Sequence, residues 1–424
     1  MFFLFGVRAR RSALLAAMAA ACAPAYCQSP LTLAEALRLA QTNAPGASAL
    51  NAAARGAREL AVSASQLPDP VLRAGVDNLP VNGPDAWSLD RDFMTMRRVG
   101  VMQEYVSSAK RTVLQERGER EARRFEAEAE MSRSEIRTEV AINWYDRLFA
   151  MRTEQLLQTL EQEIAMQRRA AEAQVAGGKA SAADVLAVDA LLVQSRDRVI
   201  AARRQQQIAI AKLARWLGDD AARPPAGDEA LPRDADVAAL PEHDLHNIAH
   251  LRALAGQVDV ADAEVDVAEQ NRSPNWSWEV SYAVRGPAYS NMISIGVSVP
   301  LPIFRGERQD RELAARLAQR DQARDQLADA RRRHASEFNA MRIEWLALRE
   351  RQQQLESSLL PIVRQRVEAL LAAYGSGQQN LSAVLEARRA EVEAKVQVLE
   401  LERDSARMWA RLRYTYLEGE GGTP

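Results

Sequence analysis

Three of the chain's four histidines, His243, His246 and His250, fall at i, i+3 and i+7, so a helix through them presents all three on one face. Imidazoles at that spacing can bind zinc or copper. The competing reading makes them part of the helix that opens the second half of the chain, and no metal centre or cofactor is expected. Met94, Met96 and Met102 share one strand parity. Thioethers in a row suit Cu(I), but a lipid-facing or core row is the simpler reading. The only cysteines, Cys22 and Cys27, lie in or beside an export signal, which leaves the exported body without a disulfide framework or thiolate site. The sequence has no GxSxG, P-loop, dinucleotide fingerprint or HExxH. Its charged pairs are scattered over helical stretches as on solvated faces, and no enzyme is expected.

The elements that would carry these residues are unusual in length. Of 424 residues, 26% are charged and only 5% aromatic, the bias of long helices and coiled coils. With a formal net charge of -2 and no basic stripe, nucleic acid is excluded as a partner. Arg8, Arg10 and Arg11, the apolar run 13–21 and Ala23-Pro24-Ala25 make residues 1–27 a secretory signal cleaved near 25–27. Neither Cys22 nor Cys27 follows a Leu-containing lipobox, so a lipid anchor is the lesser reading. That apolar run is too short to span a membrane, and no later stretch of about 20 apolar residues exists. Any crossing must use strands.

One stretch has the pattern for it. In 276–304, Trp276, Trp278, Val280, Tyr282 and Val284 alternate with polar or small residues; a turn-rich 286–291 follows, and Ile293, Ile295, Val297 and Val299 resume the alternation. Each arm has roughly the 9–11 residues of a tilted transmembrane strand, with aromatic residues near its ends. A weaker copy lies at about 71–106, its second arm starting near Phe93.

Each hairpin feeds a long charged helical run, about 110–175 and 308–374, and each run would reach roughly 100 Å if continuous. The second contains one proline, Pro361. Both runs end at matching glycine turns, 175–181 and 374–380, where glycine stops one helix and Ser181 or Asn380 caps the next. The chain therefore reads as two tandem repeats, 28–217 and 243–417, each of helix, strand hairpin, long helix, glycine turn and return helix. Between them lies a polar linker, 218–242, and after them a flexible tail, 418–424. Four strands per chain cannot close a barrel, and open edges are not tolerated in lipid, so chains must combine; a dimer gives eight strands and a trimer twelve. An eight-stranded barrel is filled by side chains, and only the larger ring leaves room for a conduit.

The duplicated hairpins and the paired turns around Val175, Gly178, Ser181, Asp184 and Tyr374, Gly377, Asn380 resemble the TolC family of outer membrane factors over about 31–417. The second turn departs from the family pattern at Asn380 and at Ala383, which stands where the pattern has Asp. Residues 79–81 and 94–104 further resemble the heavy-metal cation efflux (CusC/CzcC-like) branch. The resemblance implies a mostly α chain with a small β part: a TolC-like α/β barrel, homotrimeric, with four transmembrane strands per protomer. Together these would form a 12-stranded outer-membrane β-barrel continued by a long periplasmic α-helical barrel.

It implies a passive exit duct of a tripartite RND-type efflux system in a Gram-negative outer membrane, conducting heavy-metal cations. Its partners would be a periplasmic adaptor, an inner-membrane RND pump and outer-membrane lipid. The glycine turns would be the periplasmic tip at which the adaptor docks. Trp276, Trp278, Val280, Tyr282, Ile293, Ile295 and Val297 would face lipid. Asp184 and Glu386, one turn inside the tips, would converge by three-fold symmetry as gate carboxylates; as alternatives they are solvated charges or helix ion pairs. Drug or organic-solute efflux and type I secretion are alternatives within the family. A periplasmic coiled-coil adaptor or structural protein is the alternative outside it.

Overall fold

The computed structural model describes residues 29–178, 181–227 and 248–417. The signal at 1–27 with Cys22 and Cys27, Lys179 and Ala180 of the first glycine turn, positions 228–242 of the linker, His243, His246 and the tail 418–424 lie outside the described residues.

In chain order the described helices are α1 (Leu33–Thr42), α2 (Pro45–Ala64), α3 (Ser108–Ala176), α4 (Ala182–Leu217), α5 (Ala249–Gln270), α6 (Gln309–Gln354), α7 (Leu360–Gly375) and α8 (Leu381–Leu412). The strands are β1 (Val71–Asp77), β2 (Met96–Tyr105), β3 (Trp276–Val284) and β4 (Met292–Ser298). Contacts divide the chain into two compact units, Met1–Leu39 with Asn143–Leu231, and Ala40–Ile142 with Pro232–Pro424.

In the first unit Leu31, Leu148, Val188 and Leu213 are buried, and polar side chains bind backbone carbonyls. Trp144, fully buried, donates from Nε1 to the Leu31 carbonyl at 3.0 Å. The Leu31 N–H donates to the Pro224 carbonyl at 2.8 Å. Arg147 is buried without a carboxylate partner among the described residues and donates instead to the carbonyls of Ala221 at 2.5 Å and Ala222 at 2.8 Å, closing the short 3-10 turn Gly218–Ala222. Burial pushes its guanidinium pKa down. Arg223 binds the Ser29 carbonyl and both oxygens of Glu35, and that bond holds the Glu35 carboxyl below its usual range.

In the second unit the four strands form one antiparallel sheet in the order β1-β2-β3-β4. Opposed residues share a face, so the register sorts the side chains. Leu72, Val99, Val101, Val280, Ile293 and Ile295 lie on one face, all exposed. Arg73, Asp77, Arg98, Glu279 and Ser281 lie on the other. Gly100 fits where β2 and β3 approach closely: a Cβ there would stand 2.6 Å from the Ser281 Cβ.

Two expectations about lengths need correction. The second arm of the first hairpin starts at Met96 rather than near Phe93, and β4, like β1 a strand of 7 residues, is shorter than the 9–11 expected of it. Both are edge strands with a partner on one side only, so their ladders end sooner; beyond β4, Val299, Leu301 and Ile303 stay exposed. The second long helix is not uniform over 308–374. It widens into a π segment, Leu355–Leu359, ahead of Pro361, which lacks an N–H and would press its ring on the carbonyl four residues back.

Helices α2 and α3 pack through small residues. Ala54, Ala57 and Ala61 are buried, and a Cβ on Gly118 would meet the Ala61 Cβ at 2.6 Å. The aromatic core lies between α5, α6 and α8, around Ile248, Leu251, Phe338, Trp345, Trp409 and Tyr416.

Candidate functional site

The two glycine turns are built alike. Gly178 adopts φ +70° and donates its N–H to the Val175 carbonyl at 3.0 Å; Gly377 adopts φ +74° and donates to the Tyr374 carbonyl at 3.0 Å. At the second turn Gln378 also donates to the Ala373 carbonyl at 2.9 Å, completing the six-to-one and five-to-two bonds of a Schellman stop. The next helix starts at once in both cases. Ser181 caps α4 and Asn380 caps α8, whose Oδ1 accepts the Ala383 N–H at 3.1 Å.

The two carboxylates inside the turns are not equivalent. Asp184 Oδ2 accepts the Ser181 N–H at 2.9 Å and the Ser181 hydroxyl at 2.8 Å, while Ser181 Oγ accepts the Asp184 N–H at 3.3 Å. This reciprocal capping box holds the Asp184 carboxyl below its usual range, chiefly through the backbone bond from Ser181. Ala383 offers no such return bond, which is how the second turn manages with Asn380 as its cap. Glu386 is exposed on α8 and has no ion-pair partner among the described residues.

On the sheet, Trp276, Trp278, Val280, Tyr282, Ile293, Ile295 and Val297 share the exposed apolar face. The Tyr105 and Trp276 rings stack 5.1 Å apart at one end of that face, and Asn291 Nδ2 donates to the Tyr282 hydroxyl at 2.7 Å near the other. The opposite face carries an ion network across three strands: Arg73 bonds Glu279 at 2.9 Å, and Arg98 lies 3.1 Å from Asp77 and 3.9 Å from Glu279. Sequence reading did not single out these four residues, because only the strand register brings Arg73, Asp77 and Glu279 to the face of Arg98.

That network also corrects the methionine row. Met96 and Met102 sit on the charged face beside Asp77 and Glu279, not on the apolar one, and Met94 precedes the strand. Of the histidine trio only His250 is described, and it faces His334 of α6, with Nδ1 and Nε2 2.8 Å apart. Among the described residues no group of three or more His, Cys, Asp or Glu is placed to hold a metal ion. No described helix is long and apolar enough to cross a membrane.

Residues 240–415 match the model of the outer membrane efflux protein family. Over that stretch the chain is similar to that family. It is similar to the cobalt-zinc-cadmium resistance protein CzcC of Cupriavidus metallidurans, 26% identical over 271 residues, which cover 63% of this chain. The chain spans 64% of the length of that relative.

Its fold is that of the outer membrane protein VceC of Vibrio cholerae, at a TM-score of 0.75 and 17% identity over 91% of this chain and 95% of the other. The transmembrane channel protein CusC has the same fold, at a TM-score of 0.75 and 14% identity over 91% of each chain. The likeness of fold to these two proteins extends over 91% of this chain.

Proposed function

We propose that this efflux protein is the exit duct of a tripartite RND-type efflux system in a Gram-negative outer membrane, acting as a homotrimer. The observation that carries the reading is the sheet: four strands, apolar and exposed on one face, ion-paired on the other, with an open edge at β1 and at β4. Such an edge cannot face lipid. If β4 of one copy pairs with β1 of the next, three copies close a 12-stranded barrel with the apolar face toward lipid and the Arg73–Glu279–Arg98 network toward the lumen. The tandem repeats would then supply a long α-helical barrel in the periplasm.

In this reading the turns at 175–181 and 374–380 dock a periplasmic adaptor that links the duct to an inner-membrane RND pump. Glu386, exposed and uncommitted, is the stronger gate carboxylate; Asp184 is occupied by its helix cap. The similarity to CzcC supports heavy-metal cations as the substrate. The test is resistance. Cells lacking this chain should lose tolerance to cobalt, zinc or cadmium and regain it on complementation, whereas loss of tolerance to organic drugs alone would overturn the metal assignment. Cysteines at Gly178 or Gly377 should trap the adaptor in cells, and failure of both to do so would remove the docking assignment.

A further inference from the structure

Four histidines occur in 424 residues, and two of them, 84 positions apart, meet in the second unit. His250 in the first turn of α5 faces His334 of α6 at 2.8 Å, with the rings edge-on at 75°. The other nitrogen of His334, Nδ1, lies 3.4 Å from the Tyr416 hydroxyl and 3.5 Å from a Glu337 oxygen. His334 is 8% exposed, and its surroundings are the aromatic core of Phe338, Trp345, Trp409 and Tyr416.

The arrangement is satisfied by one proton between the two facing nitrogens. A second proton there would set two N–H groups head to head at hydrogen-bond distance and add positive charge to a core that cannot solvate it. We propose that the His250–His334 pair is a proton-operated latch that holds the start of α5 on α6 near neutral pH and releases it on acidification.

The surrounding charges are few. On α6, Glu337 favours the charged form of His334 and Arg333 opposes it; Asp321, Asp325 and Asp329 line the groove beside His250; Tyr416, from the turn Arg413–Leu417, stays un-ionised through burial. Packed from α8 are Met408, Trp409 and Leu412, all uncharged. Burial first, and then His250, lower the pKa of His334, so the folded state binds protons less readily than the unfolded chain. The stability contributed is complete above the ordinary imidazole value and is lost as pH falls through it toward the lowered one.

The segment released would be the first turn of α5, where Ile248 and Leu251 flank His250 in the core. Hydrogen exchange of the full chain in detergent, corrected for intrinsic rates, tests this between about pH 7.5 and about pH 5, which bracket the imidazole range. Protection of residues 248–256 should fall by at least about tenfold. It should stay level in His334→Gln and in His250→Gln, and should still fall in Tyr416→Phe. Should His334→Gln fail to fold, the half-exposed His250→Gln decides. Level protection in the unmodified chain, or the same fall in the folded Gln variants, would overturn the proposal.

Discussion

The Asp184 carboxylate lies 2.9 Å from the Ser181 N–H and 2.8 Å from the Ser181 hydroxyl, so the acid inside the first turn is held by its own helix start. Glu386, inside the second, has no such commitment. Exchanging the two acids for amides therefore separates capping from gating. Glu386→Gln should lower the cation selectivity of the reconstituted channel. Asp184→Asn should leave selectivity nearly unchanged while speeding hydrogen exchange of residues 181–186. Because its folded pKa is lowered, the cap contributed by Asp184 is present above the ordinary carboxylate range and fades as pH drops through the lowered value. Equal loss of selectivity in both variants would refute this division.

The second turn depends on a left-handed glycine and an asparagine cap. Gly377→Ala forces a side chain onto φ +74°, a cost of about 1 kcal/mol. Asn380→Ala removes the acceptor for the Ala383 N–H, also at about 1 kcal/mol. Both should loosen the turn, read as faster exchange of residues 376–384, without altering the strands.

Glycines in the sheet should differ sharply. At Gly100 a Cβ meets the Ser281 Cβ at 2.6 Å and the Val280 carbonyl oxygen at 2.9 Å, whereas at Gly296 it meets nothing within 4 Å. Gly100→Val should block assembly and leave protein out of the outer-membrane fraction. Gly296→Val should assemble normally.

Arg147 offers a fourth test. Arg147→Met keeps the aliphatic stem but leaves the Ala221 and Ala222 carbonyls unpaired, at a cost of about 2 kcal/mol. Thermal melting in detergent should show a lower transition temperature with conductance preserved in the folded fraction.

Much of this was legible along the chain. Period-two alternation marks Trp276 to Tyr282 as a one-faced strand, and Gly178 and Gly377 announce the helix stops, because these signals are local. The role of Asp184 was also written locally: Ser181 followed three residues later by an acid is a capping box. The side taken by Met96 and Met102 follows from their parity with Arg98, which the methionine spacing alone does not reveal. The contact of His250 with His334 and the grip of Arg147 on two carbonyls have no local signal; each joins residues brought together only by packing. The π segment before Pro361 is the helix's accommodation of a proline whose position, but not its remedy, the sequence displays.

The central claim is that three copies close one barrel through the open edges of β1 and β4. The most direct measurement is the mass of the detergent-purified protein, determined together with disulfide trapping between cysteines placed at Leu72 and Ile295 on those edges. The account predicts a particle of three chains and a trapped ladder ending at the covalent trimer. A particle of one or two chains, or trapping that never passes the dimer, would contradict it.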